Sequence, residues 1–143
     1  MDAQLKAVAE TCLNGAENGT MTFPEIVGTL MRNGFEGYAV DFRRAAATYY
    51  LSDGDSIELP THTIDTPVAP AFDVASIKSA IKEAQQLVPG YTYAGFCSKV
   101  TKAGRAGYMV SLSGRRALYL VGRLKRMSNI LQIKRQTTPL VFR

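Results

Sequence analysis

One stretch of this chain is written twice. TFPEIVGTLMRNGFEGYAVDFRRAAATYYL, from Thr22, aligns without a gap on TYAGFCSKVTKAGRAGYMVSLSGRRALYLV, from Thr92, at an offset of seventy. Identities fall at Thr22/Thr92, Gly34/Gly104, Gly37/Gly107, Tyr38/Tyr108, Val40/Val110, Ala47/Ala117 and Tyr49/Tyr119. Apolar character persists at Ile26/Phe96, Leu30/Val100 and Phe42/Leu112. A repeat of this kind constrains the fold more than any composition does: each unit is small for a core of its own, so the two must build one together. The matches read as an internal duplication.

Both copies follow the same local grammar. Phe23, Ile26, Val27, Leu30 and Met31 recur at helical spacing, as do Tyr93, Phe96, Cys97 and Val100. Thr22 with Glu25 forms a capping box, and Pro24 is tolerated in a first turn whose N–H groups lack partners. Gly34 and Gly104 stand where a helix end needs a left-handed residue. The period then becomes two: Tyr38, Val40 and Phe42 share a strand face, as do Tyr108, Val110 and Leu112. Hairpin tips at FRRAA and SGRRA lead to return strands, and SIELP supplies a third strand in the first copy.

A further helix precedes each unit. Leu5, Val8, Ala9, Cys12 and Leu13 make one apolar stripe, ending before NGAENG. Asp73 caps the other, whose stripe is Ile77, Ala80, Ile81, Ala84 and Leu87. The predicted fold class is α+β, with antiparallel hairpins covered by helices. Residues 1–122 are expected to form one domain of two repeats, 1–59 and 73–122, joined by a Pro-rich crossover over 60–72. A basic tail follows over 123–143.

Charge sharpens that division. Residues 1–122 hold 11 Lys and Arg against 12 Asp and Glu, whereas 123–143 hold six basic residues and no acid. The net charge of +5 is thus a property of the tail. A domain that tracks phosphates carries its basic stripe on the folded surface, so nucleic-acid binding reduces to nonspecific attraction by the tail. No run approaches the roughly 18 apolar residues of a membrane span. MDAQLKAVAE has no apolar signal core, and Cys12 and Cys97 fall on apolar helical faces; a cytoplasmic protein with two reduced thiols is expected.

Few residues carry chemistry. His62 is the single histidine, in a loose polar cluster with Thr61, Thr63 and Asp65; a solvated loop histidine accounts for it. A thiol–imidazole pair of Cys97 and His62 is disfavoured, because Cys97 lies on the stripe with Phe96 and Val100. Tyr38 and Tyr108 are more informative: each follows a glycine at a strand start, so two phenols could flank a pseudo-symmetric cleft. A large residue anchoring helix to sheet, with its hydroxyl at the edge, is the preferred reading, since aromatic strand positions are usually core. Arg43, Arg44, Arg115 and Arg116 sit at the two hairpin tips. They suit bidentate recognition of phosphate or carboxylate if the tips converge, and are solvated turn residues if they do not. No phosphate loop, metal spacing or Ser/His/Asp arrangement is present, and neither cofactor nor metal is expected.

VPGYTYAGFCSKVTKAGRAGYMVSLSGRRALYLVGR, with the crossover ELPTHTIDTPVAPAFD, resembles a family of small enterobacterial and prophage-encoded proteins of unknown function, the YbcV/YdfO-like proteins. Some members bear the label "phage envelope protein". The likeness covers most of residues 1–123. It implies a compact cytoplasmic α+β protein and supplies no catalytic residues. Family members continue approximately as YFGRTGETHVEHF, whereas this chain reads YLVGRLKRMSNIL. Triplets started on the third base of the codons for Leu124 to Leu131 permit ETHVEHF, and those for Tyr119 to Arg123 permit FGRT. Each step admits few residues, so the tail reads as out of frame, from a shift near Tyr119–Leu120. The displaced segment would have been the second unit's third strand. ILQIK can pair opportunistically at that edge, while residues beyond about 135 are expected to pack poorly, as untethered termini do.

The first functional expectation is a non-catalytic, prophage-derived accessory protein that binds an unknown protein partner. The alternative is a small-ligand binder or enzyme using a cleft between the repeats, lined by Tyr38, Tyr108 and the hairpin arginines. A deep polar pocket between the halves favours the alternative; a flat apolar patch favours the first.

Overall fold

Helices in this protein start and stop where end groups need partners. The computed structural model describes residues 1–63, 73–86, 88–121 and 138–139. Helix α1 spans Ala3–Asn18 and α2 Phe23–Arg32; strands β1 (Phe35–Asp41), β2 (Ala46–Leu51) and β3 (Ser56–Pro60) follow. The second unit repeats the order with α3 (Val74–Gln86), α4 (Tyr93–Lys102), β4 (Arg105–Ser111) and β5 (Arg116–Val121), and β6 (Thr138–Pro139) closes the chain's elements. Most of the predicted crossover, Leu87 and the ILQIK stretch lie outside the described residues.

Asp2 accepts the Leu5 N–H at 2.8 Å and caps α1. Thr22 and Glu25 make the predicted reciprocal capping box on α2. Thr92 accepts the Gly95 N–H at 3.0 Å, but with glycine at that third position nothing reaches back to the Thr92 N–H. Asp73 caps α3 through the Ser76 N–H at 3.1 Å. Gly34 and Gly104 take φ of +83° and +95° just after α2 and α4, a region that costs a side chain energy. One boundary differs from expectation: α1 runs through NGAENG and stops only at Gly19. Helical hydrogen bonding, with Leu13 and Gly15 buried, carries the turn past residues of low propensity.

All neighbouring strands are antiparallel, in the order β3-β2-β1-β4-β5-β6. The fold is therefore α+β, as the sequence predicts. The hairpins share one register shifted by seventy: Tyr38 faces Tyr49 as Tyr108 faces Tyr119, and both hairpins bulge before the second glycine. The central seam maps onto itself. Tyr38 faces Val110 and Val40 faces Tyr108, about the middle pair Ala39–Met109, so an approximate twofold passes between them.

The repeated Gly37 and Gly107 belong to this seam. A Cβ on Gly37 would lie 2.6 Å from the Val110 carbonyl oxygen, and one on Gly107 would lie 2.2 Å from that of Val40. Each hairpin turn also places one residue at positive φ, Ala45 at 51° and Arg115 at 52°. At the far edge, Thr138 and Pro139 pair with Ala117 and Arg116, the place that Leu59 and Pro60 hold against Ala47 and Ala46. Thr138 and Pro139 thus make a two-residue edge pairing on β5, whose hydrogen-bonding edge they meet.

Helices cover one face of the sheet. Tyr38, Val40, Tyr49, Tyr108, Val110 and Ala117 are buried against them, while Tyr50, Met109 and Ser111 face out. Leu30 and Val100, at equivalent places in α2 and α4, are fully buried; each contributes about 2 kcal/mol by leaving water. No helix among the described residues is long and apolar enough to cross a membrane.

Candidate ligand cavity between helices and sheet

Period-two alternation sends Tyr38 and Tyr108 to the helix-covered face, and the β1–β4 register sets them diagonally across the twofold. Their ring centroids are 6.2 Å apart at 76°, edge to face. Tyr49 stacks on Tyr38 at 5.3 Å, and Phe96 of α4 meets Tyr108 edge-on at 6.2 Å. These rings do not fill the space between the layers. A cavity of about 380 Å³ remains, floored by the sheet tyrosines and roofed by Cys12, Leu13, Ile26, Ile81 and Ala84 from the first three helices. The two helix–helix connections, around Gly19–Thr22 and Gly90–Thr92, form its partly exposed rim. It is recessed and drawn from both units, but mainly apolar, so it matches neither the deep polar pocket nor the flat apolar patch set out above.

Its chemistry is uncharged. Among the described residues that line it, none is Asp, Glu, Lys, Arg or His. Its polar side chains are the Cys12 thiol, threonines and phenols. The Tyr93 and Tyr108 hydroxyls hydrogen-bond each other at 2.7 Å. Burial drives both phenols well above their ordinary range, because an anion there would lack solvation. Burial likewise pushes Tyr91 up to about 12 and Tyr49 higher still. Cys97 is pushed up to about 12 by burial, with a hydrogen bond to Tyr93 offsetting part of the rise. A neutral thiol through physiological pH is a poor nucleophile. Both cysteines are free and buried.

The other sequence candidates lie elsewhere. His62 turns its side chain to solvent, its backbone N–H donating to Glu17 at 2.6 Å and its Nε2 lying 3.6 Å from the same carboxylate. Glu17 itself is largely buried, and its charge helps to raise Tyr49 and Cys97. The hairpin arginines do not converge. Antiparallel β1 and β4 put the two turns at opposite ends of the sheet. Arg43 and Arg44 donate their backbone N–H groups to Asp41, and the exposed Arg44 guanidinium lies 3.6 Å from Glu58. Arg115 and Arg116 are exposed at the other end. Of the predicted set, only Tyr38 and Tyr108 share a site.

Sequence reasoning left Tyr93 and Tyr49 in the core and passed over Glu17. The available signal was the Phe23/Tyr93 difference: a hydroxyl added at an equivalent apolar position needs a partner when buried. Among the described residues, no group of three His, Cys, Asp or Glu could hold a metal ion. Comparison with known proteins adds a family and no activity. A family model described as "Protein of unknown function (DUF1398)" matches residues 11–123. No curated protein matches the chain.

Proposed function

The chain belongs to that family of unknown function, and we propose that its work is to hold a small, uncharged, mainly apolar molecule in the cavity. One observation carries the reading: a space of about 380 Å³, contributed by both units and without a charged side chain among its described lining residues, within the roughly 300–1,000 Å³ of small-molecule sites. The role is binding rather than catalysis. General acid–base chemistry needs a group poised near working pH, and burial moves the Tyr93 and Tyr108 phenols and the Cys12 thiol away from it. The protein-partner reading has less support, because Met31, Tyr50 and Met109 are the large apolar residues exposed among those described, and scattered ones are ordinary.

The relation to the YbcV/YdfO-like prophage proteins rests on the residues quoted above. The family match ends at Arg123, where that likeness also ends, which supports reading residues 124–143 as out of frame. Sequencing the gene decides it: the shifted frame must encode ETHVEHF or a near neighbour.

Binding is tested with a neutral hydrophobic fluorophore and the Ala84→Phe variant, which fills the roof. Saturable one-to-one binding, lost in the variant while its melting temperature holds, supports the proposal. Failure of the folded wild-type chain to bind neutral apolar probes contradicts it.

A further inference from the structure

Resting on that reading, we infer that the cavity selects a neutral aromatic molecule bearing a hydroxyl group, recognised through the Tyr93–Tyr108 hydroxyl pair. Size sets the scale. A cavity of about 150 Å³ lined by apolar side chains accommodates benzene, so about 380 Å³ takes a molecule of two or three fused rings. Wall chemistry sets the shape. Tyr38, Tyr108 and Phe96 meet edge to face, and Tyr38 and Tyr49 stack, so the walls present both ring faces and ring edges to a planar guest.

Polar groups set the function on the guest. Tyr93 and Tyr108 are bonded through their hydroxyls, giving a pair of neutral O–H groups in the cavity wall. Each hydroxyl both donates and accepts, so a hydroxyl on the guest extends the pair without requiring a charge from the wall. A carboxylate accepts only and meets no cation among the described lining residues; an ammonium donates only and meets no anion among them, the Glu17 carboxylate that acts on Tyr49 and Cys97 lying outside that lining. A bare hydrocarbon fits the walls and makes no polar contact. The recognition group is also asymmetric. Tyr93 stands where the first unit has Phe23, so the hydroxyl pair exists on the Tyr108 side of the twofold and orients the guest.

Isothermal titration of the full chain with naphthalene, naphthol, naphthoate and a naphthyl ammonium at neutral pH tests the inference. Naphthol is expected to bind about tenfold tighter than naphthalene, the yield of one net hydrogen bond. The two ions are expected to bind about a hundredfold weaker than naphthol, because a desolvated charge finds no partner. The double variant Tyr93→Phe with Tyr108→Phe, which removes both hydroxyls and leaves neither without its partner, should abolish the preference for naphthol over naphthalene. Equal affinity for naphthol and naphthalene in the wild type overturns this inference and leaves the binding proposal standing. A preference for either ion, or one for naphthol that survives both substitutions, also overturns it. If the folded chain binds none of the four, the underlying proposal falls as well.

Discussion

The two halves of the sheet keep one backbone and part company in their side chains. Register, bulge, seam glycine and left-handed turn residue recur at the offset of seventy. Yet Phe35 is answered by a fully buried Arg105, Phe23 by Tyr93, and the five-residue β3 by the two-residue β6. Backbone geometry is fixed by sterics, which both hairpins must obey. Side-chain chemistry is bound only by volume and satisfaction, so it is free to differ. The cavity shows both effects: its floor is symmetric in Tyr38 and Tyr108, while its hydroxyl pair belongs to the second half.

The seam is where symmetry is enforced most strictly, so breaking it costs most. Gly107→Ala is expected to destabilise by about 3 kcal/mol, a large overpacking penalty, because its Cβ meets backbone that cannot step aside. Gly37→Ala, with the longer 2.6 Å approach, should cost about 2 kcal/mol in the same urea titration. Equal costs at the two sites would mean that the seam is more symmetric than its contacts.

Alkaline titration comes next. Cys97 has its pKa raised from 9.0 to about 12 in the folded chain. The folded state therefore keeps its proton between those values while the unfolded state loses it. Stability from this group is complete below pH 9.0 and declines toward pH 12, by about 1.4 kcal/mol per unit at most. Cys97→Ala should flatten part of the decline in urea midpoints measured from pH 8 to 11. Tyr91, raised to about 12 in the same way, contributes to what remains.

The caps sharpen the comparison at smaller scale. Thr22→Ala removes half of a reciprocal box and is expected to cost about 1.5 kcal/mol; Thr92→Ala removes a one-way cap and should cost about 1 kcal/mol. Arg43→Ala and Arg44→Ala, at exposed turn positions, should stay within about 0.5 kcal/mol of wild type.

Much of the fold was legible because local rules carry it. Helical spacing picked out Leu30 and Val100, alternation picked out Tyr38 and Val110, and Thr22 with Glu25 announced a helix start. The cavity was legible only in part. Its two symmetric tyrosines stood out through repetition, but its volume arises where units of separate sequence meet, and no window along the chain contains that. The arginines are the exposed turn residues that a hairpin tip usually gives, and the ligand alternative required tips that converge. Arg43-Arg44 and Arg115-Arg116 occupy corresponding turns, but the pairs are two positions apart in the alignment; the equivalent feature is the positive φ of Ala45 and Arg115. Pairing two hairpins by composition missed that antiparallel β1 and β4 must point their turns in opposite directions.

Amide-resolved NMR titration with naphthol distinguishes one site spanning both units from any site confined to one of them. Signals around Tyr38 and Tyr49 in the first half and Tyr108, Phe96 and Ile81 in the second should shift together and saturate at one equivalent. Shifts confined to one half, shifts centred on the outward-facing Met109 and Tyr50, or none at all would contradict the site that spans both units.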